Sequence, residues 1–128
     1  MGWTELQVMV VEDHGFQRRI ALRLLAELGV ARVLEGSDGL HALEILRSQV
    51  VPPDVVLVDL DMPGMDGIET ARRILAEEAT SRPALVALSG WGQEEDRRRT
   101  REAGFAGHLL KPVDLSVLQN TIASILTP

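Results

Sequence analysis

Residues 55–67 read VVLVDLDMPGMDG, and this stretch decides the fold. The near-continuous apolar run Val55–Leu60 is typical of a strand that is buried on both faces, as in a parallel sheet. A helical pattern of apolar residues, made by Ile68, Ala71 and Leu75, follows directly after Asp66, which we expect to be the N-cap of the helix. The stretch therefore predicts a buried strand followed by an amphipathic helix.

The same alternation continues outward in both directions. Four more apolar runs have the length of strands: Leu6–Val11, Arg32–Leu34, Ala84–Leu88 and Gly107–Leu110. Three more segments place apolar residues at helical spacing: Phe16, Ile20, Leu24 and Leu28, ended by Gly29; Ala42, Leu43, Leu46 and Val50, after Ser37-Asp38-Gly39; and Leu115, Leu118, Ile122 and Ile125, after the predicted N-cap Asp114. This order predicts an α/β fold, a doubly wound sheet of five parallel strands with about five helices.

One further helix, predicted from about Gln93 to Ala103, differs from the others because it has almost no apolar face. Trp91 and Phe105 are its available anchors, so we expect it to be weakly held. Its arginines are balanced by acidic neighbours, which indicates a solvated surface rather than a basic binding patch.

The composition indicates one globular domain over residues 1–128. The last predicted helix ends just before Thr127-Pro128, so a longer parent protein could continue there. The net charge of −6 argues against direct binding of nucleic acid or of anionic membrane, and the absence of cysteine excludes disulfides and cysteine chemistry. The longest uncharged run, Leu115–Pro128, has 14 residues and is too short to span a bilayer, so a cytoplasmic protein is expected.

The residues that carry chemistry lie at the ends of the predicted strands, where open parallel sheets bind their ligands. These residues are Glu12-Asp13, Asp59 with Asp61 beyond it, Ser89, and Lys111-Pro112. Clustered carboxylates repel one another unless a cation relieves the repulsion, and oxygen ligands suit Mg²⁺. A lysine and a hydroxyl can bind phosphoryl oxygens, and an aspartate beside the metal can act as a nucleophile. Taken singly, each residue could instead be a helix cap, a turn residue or a solvated charge.

The sequence resembles the receiver domains of two-component response regulators, which have a flavodoxin-like (CheY-like) fold. The resemblance is carried by VVED at 10–13, VDLDMPGMDG at 58–67, LSG at 88–90 and LLKP at 109–112, in order and across nearly the whole chain. It implies that Asp59 accepts a phosphoryl group. It also implies that Ser89 and Lys111 hold the phosphoryl oxygens, and that Lys111–Pro112 is a cis peptide.

The resemblance also implies a Mg²⁺ cofactor. Asp13, Asp59 and the backbone carbonyl of Asp61 would be its direct ligands, and Glu12 would act through a metal-bound water. The implied partner is a histidine kinase or histidine phosphotransfer protein. The implied output surface is formed by the fourth helix, fifth strand and fifth helix, through which an effector, a downstream protein or a second copy would bind.

Three positions depart from the usual family pattern. His108 stands where a switch aromatic, Tyr or Phe, is usual, so an imidazole would occupy that slot here. Asp61 and Trp91 occupy the two positions that tune loss of the acyl phosphate to water, and Gly90 leaves room for the phosphoryl oxygens. We expect bulk at Trp91 to shield the phosphoryl group, so that Trp91→Ala shortens its lifetime.

Other functions remain open on the residues alone. A haloacid-dehalogenase-like phosphohydrolase would use Asp59 as nucleophile and Asp61 as general acid, but the order of its acidic pair does not match and no cap or substrate pocket fits in the chain. A degenerate receiver that acts only by protein binding would not need the intact site. Flavin or dinucleotide binding lacks a glycine-rich loop after the first strand. The receiver is expected to catalyse its own phosphorylation and dephosphorylation, without turnover of an external substrate.

Overall fold

The computed structural model of the chain describes residues 2–77, 83–90 and 94–126, and of residue 95 only the backbone. A short 3₁₀ turn at Trp3–Glu5 precedes the alternating elements. The strands are β1 (Gln7–Val11), β2 (Arg32–Gly36), β3 (Val55–Asp59), β4 (Ala84–Ser89) and β5 (Gly107–Leu110). The helices are α1 (Gly15–Leu28), α2 (Gly39–Ser48), α3 (Gly67–Ala76), α4 (Glu94–Glu102) and α5 (Leu115–Leu126).

The five strands form one parallel sheet in the order β2-β1-β3-β4-β5. The predicted α/β fold is therefore confirmed, with β1, β3 and β4 at the buried centre. The chain leaves β1 toward β2 on one side and then crosses to β3 on the other. This reversal opens a crevice beyond the carboxyl ends of β1 and β3, which is where parallel sheets place their ligands.

Two apolar layers cover the sheet. On one face, Ala21 and Leu25 of α1 pack with Leu118 and Ile122 of α5. The other face is covered mainly by α2 and α3, together with Ala103 and Phe105 after α4. Burial of both sheet faces explains the near-continuous apolar runs of the central strands.

Local sequence signals set several helix ends as expected. Gly29 ends α1 in the left-handed conformation, with φ of 95°, which glycine adopts without a steric penalty. The Asp66 side chain caps α3 by accepting from Glu69 N, and Asp114 accepts from Ser116 N and Val117 N at the start of α5.

The apolar patterns of two helices differ from their packing. The first half of the α1 stripe faces solvent, with Phe16 60% and Ile20 43% exposed, while Ala21 and Leu25 beside it are buried. Val50 was assigned to the apolar face of α2, but α2 ends at Ser48 and Val50 is 99% exposed, so that assignment was wrong. Helical spacing alone does not distinguish a residue in the last turn from one just beyond it.

The polar helix predicted over 93–103 is present as α4, and its buried described side chain is Thr100. Phe105 anchors the chain after α4 in the core, as expected. Trp91, the other expected anchor, lies outside the described residues. In the described part of the chain, no helix combines the length and apolarity that crossing a bilayer requires.

Candidate functional site

The carboxyl ends of four strands bring the predicted site residues to one edge of the sheet. Glu12 and Asp13 directly follow β1, and Asp59 is the last residue of β3. Ser89 is the last residue of β4, and the Lys111 backbone N–H, just after β5, donates to the Ser89 carbonyl oxygen at 2.9 Å. These residues come from distant segments of the chain, and they lie close together because the strands are parallel.

Three carboxylates form a compact cluster at the centre of this edge. Glu12, Asp13 and Asp59 each offer an oxygen, and these oxygens lie within 4.8 Å of one another. Glu12 and Asp59 are buried, each 2% exposed, whereas Asp13 is open to solvent. An oxygen-only donor set of this size, open on one side, suits Mg²⁺, which keeps several waters when bound to protein. The residues present therefore fit a magnesium ion.

Glu12 is held in place from three sides. Its backbone N–H donates to the Gly36 carbonyl at 3.1 Å, and Arg18 Nη1 donates to its carbonyl oxygen at 2.8 Å. The His14 backbone N–H donates to Glu12 Oε2 at 3.2 Å. Arg18 also pairs with Glu35 at 3.3 Å, which ties the start of α1 to β2. The buried carboxylate thus has a fixed orientation before any ligand binds.

Asp59 is oriented by the backbone that follows it. The Asp61 backbone N–H donates to Asp59 Oδ1 at 3.1 Å, while the Asp61 side chain is exposed. The chain then turns so sharply that the start of α3 packs on the end of β3. A Cβ added at Gly67 would collide with the Asp59 carbonyl oxygen and lie 2.7 Å from Leu60 Cα, so only glycine fits there.

Lys111 supplies the positive charge of the site. Its Nζ donates to Asp59 Oδ1 at 2.9 Å and to Glu12 Oε1 at 3.1 Å. It also donates to Gln17 Oε1 at 2.7 Å. The peptide bond to Pro112 is cis, as the resemblance implied. The sequence did not point to Gln17, because it lies outside the motifs and its partner is 94 residues away.

The charges of the site are coupled through these contacts. Burial and the hydrogen bond with Asp59 raise the pKa of Glu12 to about 7. Burial also opposes ionisation of Asp59, but its hydrogen bonds with Glu12 and Lys111 outweigh this effect, so the pKa of Asp59 is lowered. Burial disfavours the charged form of Lys111 too, yet its bonds to the two carboxylates leave the pKa raised. Asp59 is therefore ionised near neutral pH, and Glu12 is the group that takes up a proton.

The modulating positions lie on the β4 and β5 side of the site. Gly90 is exposed, and a Cβ added there would meet nothing within 4 Å, which agrees with open space beside Ser89. Half-buried His108 places Nδ1 3.3 Å from Thr100 Oγ1, whose hydroxyl donates to the Arg97 carbonyl at 2.9 Å. His108 thus contacts α4 from β5. The prediction for Trp91 falls outside the described residues and stays a prediction.

A groove between α1 and α5 adjoins the carboxylate cluster, and no pattern in the sequence predicts it. Its volume is about 350 Å³. The apolar side chains that line it include Phe16, Ile20, Leu24, Pro112, Val113 and Leu118. Glu12, Gln17 and Lys111 also line it. This α1–α5 groove is the place where the exposed apolar half of α1 meets the site.

Comparison with known proteins places the chain among relatives of one kind. Residues 8–123 match the family described as "Response regulator receiver domain". The chain is 30% identical over 120 residues to chemotaxis protein CheY-3 of Vibrio cholerae, covering 94% of this chain and 91% of that protein. It is also 34% identical over 119 residues to sensor histidine kinase RcsC of Salmonella typhimurium, covering 93% of this chain but only 12% of that protein.

A solved receiver domain has the same fold as this chain. The receiver domain of the histidine kinase CKI1 from Arabidopsis thaliana, complexed with Mg²⁺ and BeF₃⁻, superposes with a TM-score of 0.81 at 30% identity. The superposition covers 94% of this chain and 89% of that one. A chain of this kind therefore occurs both as a nearly whole chemotaxis protein and as one part of a sensor kinase.

Proposed function

The chain belongs to the response regulator receiver domain family, and on that premise we propose that it is a phosphorylation-controlled signalling switch of the cytoplasm. Asp59 accepts a phosphoryl group from a phosphohistidine on a histidine kinase or a histidine phosphotransfer protein. The acyl phosphate alters the surface formed by α4, β5 and α5, and hydrolysis then resets the switch.

One observation carries this proposal: the buried Asp59 carboxylate lies 2.9 Å from Lys111 Nζ, inside a cluster of carboxylates. A carboxylate with a lowered pKa is a competent nucleophile at neutral pH. The ammonium is positioned to bind negative charge that develops on a phosphoryl group beside Asp59. A purely structural ion pair would not need two further carboxylates held at the same place.

In the transfer step, an Asp59 carboxylate oxygen attacks the phosphorus of phosphohistidine. The new P–O bond forms as the P–N bond breaks, and the imidazole nitrogen keeps the electron pair and takes a proton. In the reset step, water attacks the phosphorus, the P–O bond to Asp59 breaks, and inorganic phosphate leaves. Lys111 and the Ser89 hydroxyl bind phosphoryl oxygens in both steps.

The residues that would hold Mg²⁺ are Asp13, Asp59 and the backbone carbonyl of Asp61, with Glu12 acting through a water. When bound, the ion offsets the charge of the carboxylates and of the phosphoryl oxygens. The chain contributes the geometry, because Glu12 and Asp59 are fixed by backbone contacts. The solved CKI1 receiver complexed with Mg²⁺ and BeF₃⁻ supports this assignment by analogy.

The proposed response runs along β4 and β5 into α4. Ser89 ends β4, and the Lys111 N–H bonds its carbonyl, so movement toward a phosphoryl group shifts both strand ends together. His108 of β5 contacts Thr100 of α4, which gives this shift a route to the helix. The α4–β5–α5 face is thus the proposed binding surface for an effector, a downstream protein or a second copy.

The partner that delivers the phosphoryl group is proposed to dock on the α1–α5 groove. It must bring a histidine in line with Asp59, and Glu12 and Lys111 line the groove itself. Phe16 and Ile20 are exposed apolar side chains beside the site, which suit the apolar face of a partner helix. A domain that received phosphoryl groups only from small molecules would have no use for this surface.

The experiment that tests this function is labelling with acetyl phosphate and Mg²⁺, followed by mass spectrometry. We expect one added phosphoryl group, none in Asp59→Asn, and none without Mg²⁺. Asp61→Asn is the matched control, because it removes a neighbouring carboxylate and keeps the backbone carbonyl, so it should still be labelled. Labelling of Asp59→Asn equal to the wild type would refute the assignment. Steady turnover of p-nitrophenyl phosphate, lost in Asp61→Asn, would instead favour the phosphohydrolase.

A further inference from the structure

Lys111 has as many acceptors as it has protons to donate. An ammonium carries three N–H groups. The Lys111 ammonium donates to Asp59 at 2.9 Å, to Glu12 at 3.1 Å and to Gln17 at 2.7 Å. Before Lys111 can donate to a phosphoryl oxygen, one of these three bonds has to yield.

The three hydrogen bonds of Lys111 differ in how much it costs to break them. Glu12 and Asp59 are buried, each 2% exposed, so losing a bond to Lys111 would take a partner from an oxygen that water does not reach. Gln17 offers a neutral amide oxygen from the first turn of α1, and its side chain is exposed. Water can replace the amide there at little cost. Gln17 is therefore the partner that yields.

We propose that Gln17 is a positioning residue that competes with the phosphoryl group for Lys111. This inference rests on the proposed function. Gln17 holds the ammonium in its resting position and lowers the affinity of the site for phosphoryl oxygens. Its bond is broken both when the phosphoryl group is bound and in the transition state of hydrolysis. Removing it therefore changes binding and phosphorylation, but not the rate of hydrolysis.

The test uses Gln17→Met, which keeps the length of the side chain and removes the amide oxygen. BeF₃⁻ affinity with Mg²⁺ and the phosphorylation rate at low acetyl phosphate should both rise roughly two- to tenfold. The lifetime of the acyl phosphate should stay unchanged. Gln17→Asn, whose amide is one methylene too short to reach Lys111, should behave in the same way. Gln17→Glu keeps the reach of the side chain and adds a negative charge, so it should lower BeF₃⁻ affinity.

Two controls make the result specific. Gln49→Met places the same substitution at the end of α2, away from the site, and should leave BeF₃⁻ affinity unchanged. The ¹³Cε signal of Lys111 should move in Gln17→Met but not in Gln49→Met, a signature that a merely structural role of Gln17 would not produce.

The outcomes separate this inference from the function on which it rests. If the wild type takes up no phosphoryl group, the proposed function fails. If the wild type is phosphorylated and Gln17→Met matches it in BeF₃⁻ affinity and rate, the competition at Lys111 is overturned and the proposed function stands. Lower affinity in Gln17→Met would also overturn it, because Gln17 would then assist binding.

Discussion

The helices α1 and α4 flank the same site, but they are built in opposite ways. Helix α1 buries Ala21 and Leu25 in the core and still presents the apolar side chains of Phe16 and Ile20 to solvent. Helix α4 buries Thr100 and covers its outer side with charged residues. Helix α1 is therefore anchored in the core and exposes an apolar surface, whereas α4 is held by few apolar contacts.

This difference fits the proposed function, in which one site serves both recognition of a partner and the response to phosphorylation. A well-anchored helix holds the proposed docking surface and the carboxylates in fixed relative positions. A weakly anchored helix can change position at small cost, because local opening energies are low where few apolar contacts are made. We therefore propose that docking takes place on the α1 side and the conformational response on the α4 side.

The largest expected difference between the two helices is in stability. Leu25→Ala truncates a fully buried side chain of α1 and should lower the free energy of unfolding by about 2–5 kcal/mol. Arg97→Gln on the exposed side of α4 should change it by less than about 0.5 kcal/mol. Urea unfolding measures both. Equal losses would mean that α4 is anchored as firmly as α1.

The second prediction concerns the pH dependence of Mg²⁺ binding at the β1–α1 corner. The pKa of Glu12 is raised to about 7, so a proton competes with the cation below that pH. Apparent Mg²⁺ affinity should rise up to about tenfold between pH 6 and pH 8. Without metal, the native state binds this proton more tightly than the unfolded chain does, so the contribution of Glu12 to stability falls as pH rises through 7.

Fluorescence or calorimetric titration with Mg²⁺ at several pH values checks this prediction. Glu12→Gln carries no titrating carboxyl, so its weaker binding should lose most of the pH dependence. An equally steep pH profile in Glu12→Gln would show that another group titrates.

The third prediction separates docking from chemistry. Ile20→Asp places a charge on the apolar rim of the α1–α5 groove and should slow phosphotransfer from a partner protein about fivefold. Labelling by acetyl phosphate should be unaffected, because Ile20 has no part in the proposed phosphoryl chemistry. Arg97→Gln on α4 is the control for partner transfer. A loss of both reactions in Ile20→Asp would point to a damaged fold, which circular dichroism and the melting temperature would reveal.

The smallest expected effect is the redistribution of hydrogen exchange on binding of BeF₃⁻ with Mg²⁺. Amides of α4 and β5 should exchange a few-fold more slowly, while those of α1 beyond its first turn change little. Exchange mass spectrometry resolves the two helices. Slowing confined to residues 16–28 would reverse the roles that we assign to α1 and α4.

Much of the fold could be predicted because it rests on local signals. Each central strand is a short apolar run, and Gly29, Asp66 and Asp114 set helix ends through their own backbone or side chains. Where the local signal was ambiguous, prediction failed: Val50 fits the spacing of α2 but lies outside it. The apolar spacing of Phe16 and Ile20 carried no information about which side of α1 the sheet would cover.

For the candidate site, the sequence by itself determined which motif residues take part. Parallel strands align their carboxyl ends, so Glu12, Asp13, Asp59, Ser89 and Lys111 had to meet once the strands were recognised. Only the tertiary structure decided the contacts among them. Lys111 and Gln17 are 94 residues apart, and their hydrogen bond depends on how α1 packs beside the end of β5. The apolar groove has the same origin, because it exists only between two helices that no local pattern relates.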